Sequence, residues 1–72
     1  MAEQEIVEVR GMVEGVRLHR LSALLREIAL AANVDITINA EKGWFRETVF
    51  YKVSGIQANV ERFDKILNET IP

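Results

Sequence analysis

The residues of this chain whose types and spacing could do chemistry are gathered in Gly11-Met12-Val13-Glu14-Gly15-Val16-Arg17-Leu18-His19-Arg20. Two glycines in so short a crossing open backbone conformations closed to other residues and let the main chain approach a ligand. The amides that open a helix lack internal acceptors and sit at the positive end of its dipole, so a helix starting here could hold an anion. Gly15, Val16, Arg17 and Arg20 are the candidate anion site, with amides supplied by the turn and charge by the two arginines. His19, the single histidine, titrates near neutral pH and could serve as a base, but no acidic or hydroxyl partner stands at a spacing that identifies one. Glu41, Lys42 and Glu47 form no paired-carboxylate signature.

Composition narrows the chemistry further. The chain has 72 residues, 49% of them hydrophobic, which is too apolar for disorder. It contains no apolar run approaching the roughly 18 residues of a membrane span. The acidic start Met1-Ala2-Glu3-Gln4-Glu5 is not a secretory signal, so a cytoplasmic location is expected, with no membrane partner. With no cysteine, neither a disulfide framework nor a thiolate metal site is available, and one histidine makes no metal cluster. No metal and no cofactor are expected. The net charge of −2 supplies no bulk attraction for nucleic acid.

Five elements must position these residues. Val7, Val9 and Val13 alternate with Glu8, Arg10 and Met12 over Glu5 to Val13, a strand with one buried side. From Val16 to Asn33 the spacing changes to three and four, with Leu18, Leu21, Leu25, Ile28, Ala29 and Ala32 on one face, which predicts an amphipathic helix stopped by a left-handed Asn33. Val34, Ile36 and Ile38 form a second strand, followed by the loop Ala40-Glu41-Lys42-Gly43. A third strand runs from about Trp44 to Val53, with Phe45, Val49, Tyr51 and Val53 facing one way. Trp44, Arg46, Thr48, Phe50 and Lys52 face the other. Ser54 and Gln57 resemble a capping box for a second helix carrying Ile56, Val60, Phe63, Leu67 and Ile71.

The order strand, helix, strand, strand, helix predicts one α+β domain, a ferredoxin-like βαββα sandwich with a three-stranded antiparallel sheet and both helices on one face. It lacks the final strand of that topology, which leaves the Ile6 to Met12 edge unpaired. The uncovered face presents Ile6, Met12, Trp44 and Phe50, interleaved with Arg10, Arg46, Thr48 and Lys52. Such a patch marks a partner. A second copy of the chain is favoured as that partner, because twofold homodimers are common and the unpaired first strand could also pair across the axis. Another protein is the next choice. Single-stranded nucleic acid stacking on the sheet aromatics is a third reading, disfavoured by the acidic charge.

Gly11, Val13, Gly15, Val16 and Leu18, with Gly55, Val60 and Phe63 later in the chain, give the sequence a likeness to the acylphosphatase family, which it resembles also in the order of elements. The resemblance implies a hydrolase of acyl phosphates needing no metal, in which turn amides and a basic side chain hold phosphate and Asn39 orients water. It would place catalysis on His19, Arg20 and Asn39. The sequence departs from the family where the chemistry lies: His19 stands at the family's arginine, Arg20 falls one residue late, and Glu14 replaces a glutamine beside the anion cradle. The reading adopted is therefore a non-catalytic binding or oligomerisation module that associates through its open sheet face, with the hydrolase as the alternative.

Overall fold

The computed structural model describes residues 5–16 and 20–70. It contains β1 (Ile6–Val16), α1 (Leu21–Ala32), β2 (Asp35–Lys42), β3 (Arg46–Ile56) and α2 (Gln57–Thr70). The three strands form one antiparallel sheet in the order β1-β3-β2. This is the ferredoxin-like βαββα arrangement. The central β3 sits between its hairpin partner β2 and the first strand, with α1 crossing over the sheet.

Strand alternation decides which side the helices cover. In β1 the odd residues Val7, Val9, Gly11, Val13 and Gly15 face the helices, and register carries the same side to Val53, Tyr51, Val49 and Glu47 on β3. Ile36, Ile38 and Ala40 continue it on β2. The core is built from Leu21, Leu25, Ile28, Ala29 and Ala32 of α1, Val49 and Val53 of β3, and Val60, Phe63 and Leu67 of α2. No helix among the described residues is long and apolar enough to cross a membrane.

Helix α1 ends as its sequence predicts. Asn33 adopts φ 59° and ψ 50°, and the Asn33 and Val34 amides donate to Leu30 and Ala29 at 3.2 and 3.0 Å. Those two bonds satisfy carbonyls that the helix itself leaves open. The Asn59 side-chain amide then donates to the Asn33 carbonyl at 3.3 Å, tying α2 to the end of α1.

Three boundaries differ from expectation. The first strand does not yield at Gly11 or Gly15 but stays in phase with β3 as far as Val16, paired with Arg46. No described glycine has a positive φ, and the left-handed residue before α1 is Arg20, at φ 50° and ψ 56°. Ser54 is not a cap: it lies inside β3 between Glu8 and Asp35, and α2 starts only at Gln57, whose amide donates to the Glu5 carbonyl at 3.2 Å. The hairpin turns later than predicted, with Ala40, Glu41 and Lys42 still in β2 and β3 starting at Arg46, because Lys42 pairs with Glu47 and Gly43 donates to the Arg46 carbonyl at 2.8 Å. Trp44 and Phe45 consequently belong to the loop, exposed at 88% and 79%, rather than to opposite faces of β3.

Candidate functional site

The residues expected to cradle an anion are held by the fold in another way. Gly15 lies opposite Glu47 in the ladder, and a Cβ added at Gly15 would stand 3.1 Å from Cδ1 of Leu21. The missing side chain thus lets the first residue of α1 settle on the sheet. Glu47 is 5% exposed, and its Oε1 accepts the Leu21 amide at 3.1 Å. A carboxylate from the sheet therefore occupies the positive end of the helix that an external anion would seek. Arg20, Ser22, Arg26 and Lys42 surround it in an open depression of about 300 Å³. Val16 is the last residue of β1, and Arg17 and His19 lie outside the described residues.

Gly11 serves packing as well. It pairs with Tyr51, and a side chain there would run into the Tyr51 ring, with Cε2 at 2.9 Å and the hydroxyl nearer still. The ring lies over the bare glycine and meets Phe63 of α2, centroid to centroid at 5.7 Å and tilted by 56°. Burial, and secondarily the Asp64 carboxylate, push the Tyr51 hydroxyl above the usual tyrosine range.

The helix-free face is organised in rows across the strands. Ile6 lies beside Ile56, Glu8 beside Ser54 and Asp35, Arg10 beside Lys52 and Thr37, and Met12 beside Phe50 and Asn39. Apolar, acidic, basic and apolar bands follow one another. Glu8 joins two of them through Arg10 at 3.6 Å and Lys52 at 3.8 Å, exposed pairs worth little individually. Ile6, Met12 and Phe50 are exposed at 71%, 49% and 43%. Arg46 is exposed at the far end, beside Val16. A shallow depression of about 450 Å³ is lined by Arg10, Thr37, Asn39, Phe50 and Lys52. Asn39 and Arg20, two of the three catalytic candidates, line separate depressions on opposite faces of the sheet.

A third hollow of about 290 Å³ lies on the helix side, along the free edge of β1. Val9, Tyr51, Val60, Phe63, Glu61 and Asp64 line it. Val9 points towards the helix layer yet remains 44% exposed.

Compared with known proteins, the chain matches no family model and no curated protein.

Sequence reasoning missed the role of Glu47, which it weighed only against a paired-carboxylate signature that Glu41, Lys42 and Glu47 do not form. The signal was present in the alternation, since residue 47 shares parity with Val49, Tyr51 and Val53. Val16 and Ile56 were missed on the outer face because the strands extend beyond their predicted ends.

Proposed function

We propose that this chain is a non-catalytic, cytoplasmic association module whose helix-free sheet face is a contact surface, with a second copy of the chain as its partner. The observation that carries this reading is the apolar row of Met12 and Phe50, with Ile6 at the other end of the same face, all in solvent in the single chain. Apolar area of this kind gains roughly 25 cal/mol per Å² when it leaves water. A small domain with ten buried core side chains among the described residues has reason to use it. The charged bands between the apolar rows supply register, since an acidic row and a basic row stand side by side on the same face.

The hydrolase reading finds less support. Its phosphate would compete with Glu47 for the start of α1, and its water-orienting Asn39 lies across the sheet from Arg20. Sedimentation equilibrium at micromolar concentration tests the association reading, with a mass above the monomer expected and a clean monomer contradicting it. Hydrolysis of an acyl phosphate that is lost in both Arg20→Ala and Asn39→Ala would replace it with the alternative.

A further inference from the structure

We infer that two copies of the chain join edge to edge through β1, antiparallel about Val9, to make one continuous six-stranded sheet. This rests on the association reading and adds a contact along the β1 edge to the one across the face, leaving the outer face of the joined sheet open to further copies. In the sheet order β1-β3-β2, β1 has a strand on one side only among the described residues, and along 11 residues it offers backbone groups to a partner. Which residues offer them follows from the ladder. Glu5 accepts from Gln57, so the odd residues of β1 exchange their bonds with β3. By alternation Ile6, Glu8, Arg10, Met12, Glu14 and Val16 direct their N–H and C=O groups outward.

The sequence of that edge is self-complementary in one register. With Val9 on the twofold axis, Glu8 meets Arg10 of the second copy, Arg10 meets its Glu8, and Ile6 and Met12 meet each other at both ends. Four of the six outward residues, Ile6, Glu8, Arg10 and Met12, then fall in hydrogen-bonded pairs, giving about eight backbone bonds. Shifting the axis to Arg10 sets arginine against arginine, and shifting it to Glu8 sets carboxylate against carboxylate. Placing it at Gly11 opposes Glu8 to Glu14. Placing it at Met12 again matches charges, Arg10 to Glu14, but leaves Val9 opposite a glycine and so does not cover it.

The Val9 register brings the two valines together on the helix side, where each closes the mouth of the hollow that Val60, Phe63 and Tyr51 leave open. It accounts in one step for the unpaired edge, the exposure of an inward-facing valine and the neighbouring opposite charges. The outer faces of the two copies become one surface.

The absence of cysteine makes the test direct. A non-hydrogen-bonded antiparallel pair sets its Cα atoms about 4.5 Å apart, within the span of a disulfide. The 72-residue Val9→Cys chain is expected to oxidise to a covalent dimer at micromolar concentration, and Met12→Cys, which faces Ile6 of the second copy, is expected to stay unlinked. Arg10→Pro removes an outward N–H without touching the bonds to β3, and should raise the dimer dissociation constant about tenfold or more while circular dichroism stays native. A Val9→Cys chain that fails to link, or that links no faster than Met12→Cys, while the parent protein still sediments as a dimer, overturns the edge pairing and leaves the association reading standing. A monomeric parent protein removes both. If Arg10→Pro fails to fold, the cysteine pair decides alone.

Discussion

Gly11 and Tyr51 are one unit: the first residue exists as glycine because the second lies across it. Gly11→Val is expected to cost about 1–3 kcal/mol by forcing the ring off its seat on Phe63. The loss should shrink in a Tyr51→Ala background, and a double-mutant cycle from urea unfolding measures that coupling. Tyr51 also sets a pH limit. Its folded pKa is raised above 10.0, so above that pH the unfolded chain gives up its proton first and stability falls as pH rises. Unfolding free energies followed from pH 8 to about 11 should show this decline, less steep in Tyr51→Phe. Glu47→Ala should cost about 1 kcal/mol through the lost cap on Leu21, with Glu47→Gln recovering part of it. Alternation alone places Glu47 inside, yet the partner that makes its burial tolerable is 26 positions away in sequence, beyond any local pattern.

At the scale of elements, the sequence carried the types and order, and lost some of the ends. The three-and-four spacing of Leu21, Leu25, Ile28 and Ala32 has one physical meaning, a helix lying on a core. The two glycines of β1 have more than one. A glycine can turn a chain or make room for a neighbour, and the choice at Gly11 and Gly15 was made by Tyr51 and Leu21, which reach them through tertiary packing. Ser54 shows the same competition, since a capping serine lost to strand pairing with Glu8 and Asp35. The hairpin loop gained Trp44 and Phe45 because pairing of Lys42 with Glu47 extended the strands. As loop residues they contribute little to the fold. The double substitution Trp44→Ser with Phe45→Ser should leave stability within about 0.5 kcal/mol by urea titration.

For the whole molecule, two amphipathic helices need one sheet face and leave the other to solvent, an outcome already contained in the alternation of β1, β2 and β3. Placing Ile6, Arg10, Met12, Phe50 and Lys52 together on that face required only correct parity. Placing Trp44 required the loop boundary, which local sequence did not define. The candidate anion site was the less legible feature, because an internal carboxylate closing it is a long-range contact. The account as a whole stands on the exposed apolar row. Sedimentation equilibrium of the parent chain beside Met12→Ser with Phe50→Ser, both at micromolar concentration, addresses it most directly. The account predicts a parent mass above the monomer and a variant of lower mass than the parent, with native circular dichroism. A monomeric parent, or a variant that associates as tightly as the parent, would contradict it.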